Sequence, residues 1–96
     1  MAKEVVINGQ KVAIKKIDFN AVCELEDLGF SILGLKEKTF GAMRALFAFN
    51  AGISLEEAGK QIQEHLKNKG KEGIEDLAPL FEAVAESDFF QSLTEQ

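Results

Sequence analysis

Residues 39–68 read TFGAMRALFAFNAGISLEEAGKQIQEHLKN and predict two successive helices. In the first half, four residues recur at helical spacing and define an inward stripe: Met43, Leu46, Phe47 and Asn50. Gly52 predicts that this helix ends at about Ala51, because glycine is favoured just after a helix C-terminus. A second inward stripe follows at the same spacing: Leu55, Ala58, Ile62 and Leu66. The stretch therefore predicts two core helices joined by a tight turn.

The starts of both helices have polar residues that can cap them. We expect Thr39 to cap the helix that runs from Phe40 to about Ala51, since hydroxyls accept hydrogen bonds from free N–H groups there. Ser54 and Glu57 form a capping box for the second helix, which is expected to end near Asn68.

Two aromatic residues, Phe40 and Phe49, lie partly off the stripe of the first helix. A helix that is apolar on more than one side is either central in the fold or in contact with a partner. We predict Phe40 and Phe49 as partner-binding residues.

The N-terminal residues EVVINGQKVAI predict a β-hairpin with Asn8 and Gly9 at its turn. Asn-Gly favours a type I′ turn, which requires positive φ at both central residues. With this turn, the side chains of four residues share one face of the ladder: Val5, Ile7, Val12 and Ile14. An isolated hairpin is marginal in water, so this one is expected to lie on helices or to pair with another strand edge.

Two further helices complete the predicted fold. Asp18 can cap a helix from Phe19 to about Leu28, and Gly29 can end it. The apolar connection over residues 29–38 is expected to pack against the core. A last helix is expected over about residues 74–86, with Pro79 acceptable only in its first turn. We predict a single, mainly helical (α+β) four-helix domain, with a hairpin over residues 1–14, a helical body over 18–86 and a tail over 87–96.

Charge is distributed unevenly along the chain, whose net charge is −5. The last quarter, residues 72–96, has no Lys or Arg but seven acidic residues: Glu72, Glu75, Asp76, Glu82, Glu86, Asp88 and Glu95. Binding to phosphates relies on Lys and Arg, so no nucleic-acid partner is expected. The helix-turn-helix pattern around Gly52 agrees with this, because its second helix would present Glu56 and Glu57 to DNA.

The sequence offers little for catalysis or metal binding. Its single cysteine, Cys23, and single histidine, His65, are the only candidates for a nucleophile and base pair, and we interpret both as structural residues. No zinc, EF-hand or phosphate-loop pattern is present in the sequence. We therefore expect no enzymatic activity, no metal and no cofactor. No apolar run approaches the roughly 20 residues that span a bilayer, so no membrane partner is expected either.

The C-terminal residues SDFFQSL place three large apolar side chains after the last predicted helix: Phe89, Phe90 and Leu93. Two interpretations remain open. They cover the core as a lid, or they bind a partner, since aromatic side chains next to charge are effective interface anchors. We include these three residues among the predicted partner-binding residues.

Taken in order, these elements resemble the tail assembly chaperones of long, non-contractile-tailed phages. The resemblance rests on VVINGQKVAI, DFNAVCELEDLGFSIL, FGAMRALFAFNAGISLEEAGKQIQEHL and APLFEAVAESDFFQ, which span nearly the whole chain. It lies in the order of the pieces and the total length.

This resemblance implies a non-enzymatic chaperone in the cytoplasm of a bacterial host. It would self-associate, coat the tape measure protein before tail tube assembly, and contact the tail tube protein. The alternative function is a small acidic regulatory protein that uses its helix-turn-helix unit to bind another protein.

Overall fold

A computed structural model describes residues 4–31 and 39–87. Within these ranges the chain forms an antiparallel hairpin followed by five helices. The strands are β1 (Glu4–Ile7) and β2 (Gln10–Ala13), and the helices are α1 (Phe19–Asp27), α2 (Thr39–Ala51), α3 (Leu55–Lys69), α4 (Lys71–Asp76) and α5 (Ala78–Ala85). The predicted fold class, mainly helical with an N-terminal β-hairpin, is confirmed.

The hairpin has the predicted turn and register. Asn8 and Gly9 have φ values of 52° and 78°, as a type I′ turn requires. Val5 pairs with Val12 and Ile7 with Gln10. Val5 and Ile7 are buried, and Val12 packs half-buried beside them. The apolar face of the hairpin thus contributes directly to the core.

Helix α1 begins at the predicted cap. The Asp18 carboxylate accepts a hydrogen bond from the Ala21 N–H at 2.8 Å. After the helix, Gly29 has a φ of +91°, and the N–H of Phe30 donates to the carbonyl of Leu25 at 3.0 Å. This turn directs Phe30 into the core. The rest of the connection that was expected to pack, residues 32–38, lies outside the described residues.

Helix α2 is the centre of the fold. It contacts α1, α3, α5 and β2, and every side chain from Ala42 to Asn50 is buried except that of Arg44. A helix that is apolar on more than one side was expected to be either central in the fold or in contact with a partner. Most of α2 is central in the fold. Thr39, predicted to precede the helix as its cap, is its first residue.

Helix α3 lies beside α2 with its apolar stripe inward. The Ser54 hydroxyl accepts a hydrogen bond from the Glu57 N–H at 3.1 Å, as the capping box predicts. The Glu57 carboxylate accepts a bond from the Gln61 side chain at 3.1 Å. Gly70, with a φ of +63°, ends the helix one residue later than expected.

The last predicted helix is divided in two and starts earlier than expected. Gly73 lies in this early part, and because a Cβ at this position would lie 3.0 Å from Leu66 Cδ2, glycine lets α4 approach α3 closely. Pro79 explains the division. A proline inside a helix removes one N–H donor and clashes with a carbonyl of the preceding turn. The chain breaks at Leu77, and Pro79 occupies the first turn of α5, where it was predicted to be tolerated.

Candidate contact surface

The first turn of α2 carries the most exposed large apolar side chain among the described residues. Phe40 is 69% exposed. Burying a phenylalanine is worth about 2 to 3 kcal/mol, and Phe40 gains little of this in the isolated chain. Its place on a partner-binding surface stays a prediction.

Phe40 forms one wall of a groove of about 350 Å³ between α2 and α3. We call this the Phe40 groove, and six residues line it: Phe40, Gly41, Met43, Arg44, Gly59 and Ile62. Met43 and Ile62 are buried core residues. The groove therefore opens on side chains of the core, and two of its lining residues have no side chain to fill it.

Arg44 is the charged residue of the groove lining. It lies one helical turn after Phe40, on the same side of α2. Its aliphatic stem lies across α3, since a Cβ at Gly59 would be 3.5 Å from Arg44 Cδ. The described residues offer its guanidinium no ion pair. The groove thus combines apolar surface with one cationic side chain.

The prediction for Phe49 is not supported by its position. Phe49 is only 8% exposed, and the Lys15 ammonium lies over its ring, 5.0 Å from the centroid. The same ammonium donates to the Phe49 carbonyl at 3.2 Å, and the Lys15 N–H donates to the Asn50 side chain at 2.6 Å. The chain after β2 therefore covers Phe49, and this residue is removed from the candidate contact surface.

The other predicted contact residues, Phe89, Phe90 and Leu93, lie outside the described residues. Their assignment as lid or interface stays a prediction. Sequence reasoning did not identify Arg44, Gly59 or Ile62 as groove residues. The available signal was the pair of small residues Gly41 and Gly59 on neighbouring helices, because glycines allow a groove between helices that larger side chains would fill.

A second feature is a buried polar cluster around His65, which is 3% exposed. The backbone N–H of Asn8 donates to His65 Nδ1 at 3.1 Å. Since Nδ1 accepts, the proton of the neutral ring is on Nε2, which donates to the Asp76 carboxylate at 2.9 Å. His65 therefore connects the hairpin turn, α3 and α4.

Two further contacts surround this cluster. The Asn8 side chain donates to the Gln61 carbonyl at 3.0 Å, and the Lys69 ammonium lies 3.7 Å from the Asp76 carboxylate. Both ring nitrogens of His65 are engaged by groups other than Cys23, which is half-buried on α1. The geometry thus makes His65 a hydrogen-bonded junction between the hairpin turn, α3 and α4.

Residues 4–31 and 39–87 contain no group of three or more His, Cys, Asp or Glu side chains that could hold a metal ion. In that part of the chain, no helix has the length and apolar character needed to cross a membrane.

No family model matches the chain, and neither a curated protein nor a solved structure matches it.

Proposed function

We propose that this protein is a non-enzymatic phage tail assembly chaperone of the bacterial host cytoplasm. It self-associates and coats the tape measure protein before the tail tube assembles, and it contacts the tail tube protein. The assignment rests on the resemblance of the ordered sequence elements.

The observation that carries the proposal is the exposure of Phe40 at the edge of an apolar groove. Amphipathic helices bind to proteins by placing their apolar face in such a groove. A tape measure protein that presents a long helical surface offers many such faces. A chaperone that must later be displaced is best served by many modest contacts, each repeated by another copy.

The net charge of the chain supports the choice of a protein partner. With a net charge of −5 and no basic residue after Lys71, the chain is poorly suited to bind nucleic acid. Apolar contact through the groove then supplies the affinity, and the net negative charge of the chain favours solubility of the coated complex.

Co-expression with a tape measure fragment tests the proposal. The wild-type protein should raise the soluble fraction of the fragment. Phe40→Ser should remove most of this effect, because it deletes the apolar wall of the groove. Phe19→Ser is the matched control, since Phe19 is also at the start of a helix and is 61% exposed. If the wild-type protein leaves the fragment insoluble, the chaperone assignment is wrong.

The alternative, a small acidic regulator that acts by protein binding, is favoured by one observation. Gly52 has a φ of +71°, and its N–H donates to the Ala48 carbonyl at 2.9 Å, which gives the tight α2 to α3 connection of a helix-turn-helix unit. A regulator would bind a folded partner with fixed stoichiometry. A chaperone would bind an extended fragment in proportion to its length, so titration of fragments of increasing length distinguishes the two.

A further inference from the structure

We infer that the Phe40 groove binds the Asp88–Leu93 segment of a second copy of this chain. The inference rests on the self-association in the proposed function and assigns it a site. The groove is the receptor, and residues 88–93, DFFQSL, are the ligand.

The groove is open in a single copy of the chain. Phe40 is 69% exposed, and the groove of about 350 Å³ has buried Met43 and Ile62 in its lining. This volume can accept large apolar side chains. An apolar anchor that enters a groove of this kind removes from water both its own surface and that of the groove wall.

The segment supplies apolar anchors of the right kind. It contains Phe89, Phe90 and Leu93 within five positions. Phenylalanine has no polar atom in its side chain, so its ring requires no hydrogen-bond partner when the groove covers it. The open wall formed by Phe40 offers an aromatic surface on which such a ring can pack edge to face.

Charge selects this segment over other apolar stretches of the chain. The cation of the groove is Arg44, and Asp88 directly precedes the two phenylalanines. Residues 72–96 contain no Lys or Arg that would be repelled by Arg44. Carboxylate and guanidinium form charge-assisted hydrogen bonds, so the Asp88 to Arg44 pair would fix the direction in which the segment enters the groove.

Each copy has one Phe40 groove and one Asp88–Leu93 segment. When the segment of one copy binds the groove of another, the first copy still has an empty groove and the second still has an unbound segment. Two copies can exchange segments reciprocally, or successive copies can bind head to tail in an open chain. Either arrangement buries Phe40 and raises the mass in solution. An open chain would also place successive copies along one partner, as a coat requires.

Complementary charge reversal tests the inference. The proteins are Arg44→Glu, Asp88→Lys, and an equimolar mixture of the two, with mass measured by sedimentation from about 1 μM to 1 mM, a range that covers modest affinities. Each variant alone should associate at least about tenfold more weakly than the wild type, because the groove and the segment then have like charges.

The mixture should regain association. In it, the Arg44→Glu groove meets the Asp88→Lys segment, and the unchanged Arg44 groove meets the unchanged Asp88. Lys60→Glu is the matched control, since Lys60 is exposed on α3 outside the groove lining and undergoes the same change of charge. It should associate as the wild type does. Circular dichroism checks that every variant is folded.

Three results would overturn the inference: a wild type that stays monomeric over the whole range, single variants that associate as the wild type does, or a mixture that stays monomeric. The last would show that Arg44 and Asp88 do not pair between copies. These outcomes are independent of the solubility of a tape measure fragment. A chaperone that solubilises the fragment without self-association would keep the proposed function and lose this site.

Discussion

Two neighbouring sides of α3 differ in how they meet the rest of the molecule. On one side, His65 joins α3 to the hairpin turn and to α4 through two hydrogen bonds, and Gly73 lets the helices touch. On the other, Gly59 and Ile62 line the open Phe40 groove. One junction is polar and closed, and the other is apolar and open.

The difference follows from the chemistry of the groups involved. A buried polar atom without a partner costs about 1 to 3 kcal/mol, so the His65 junction holds a single geometry in which each nitrogen is satisfied. No buried side-chain nitrogen or oxygen in the described ranges lacks a hydrogen-bond partner. An exposed apolar side chain needs no defined partner, so the Phe40 side can remain open until another surface covers it.

The largest expected effect is that of His65→Ala on stability. The substitution leaves the Asn8 N–H and the Asp76 carboxylate without this partner and creates a cavity beneath the hairpin turn. We expect the free energy of unfolding to fall by about 2 to 4 kcal/mol. Urea denaturation followed by circular dichroism measures this. A loss below about 1 kcal/mol would mean that the polar junction does not hold the hairpin on the helices.

Gly73→Ala should have the next largest effect. Alanine favours the helix by about 1 kcal/mol over glycine. Here its Cβ would lie 3.0 Å from Leu66 Cδ2 and 3.2 Å from His65 Cδ2, and the His65 ring is held by two hydrogen bonds. The steric cost therefore exceeds the gain, and we expect a net loss of about 1 kcal/mol in the free energy of unfolding. If Gly73→Ala were as stable as the wild type or more stable, the side chains of Leu66 and His65 could move to accommodate the added methyl group.

Gly59→Ala makes the same substitution on the open side and should have the opposite sign. Its Cβ would be 3.5 Å from Arg44 Cδ, an ordinary contact with a flexible side chain. The helical preference of alanine then dominates, and we expect a gain of about 0.5 to 1 kcal/mol. Thermal and urea unfolding of the two alanine variants, measured side by side, give the contrast. Two losses of similar size would contradict the description of the Phe40 side as open.

Features of the fold that depend on near neighbours in sequence were predictable. The Asn8-Gly9 turn, the Asp18 cap and the Ser54 cap each arise within about four residues, where backbone preference and side-chain hydrogen bonds decide the conformation. The inward stripes of the helices followed from the 3.6-residue period.

Features that depend on distant neighbours were not predictable in the same way. Phe40 and Phe49 both lie partly off the stripe of α2, yet Lys15, more than 30 positions away from Phe49, covers one and not the other. The close approach of α4 to α3 likewise depends on Gly73 meeting Leu66. A periodic pattern identifies which residues are apolar, but the tertiary contacts decide which of them remain exposed.

The smallest expected effect on stability is that of Phe40→Ser. Serine and phenylalanine have similar helix propensity, and the ring is already 69% exposed. We expect the free energy of unfolding to change by less than about 0.5 kcal/mol at a protein concentration low enough to keep the chain monomeric. At high concentration the wild type should gain stability relative to the variant, because association that buries Phe40 favours the folded state by mass action. Urea unfolding at two protein concentrations separates the effect of the substitution on the monomer from its effect on association. A large loss at low concentration would place Phe40 in the core of the monomer, and the contrast between the two sides of α3 would disappear.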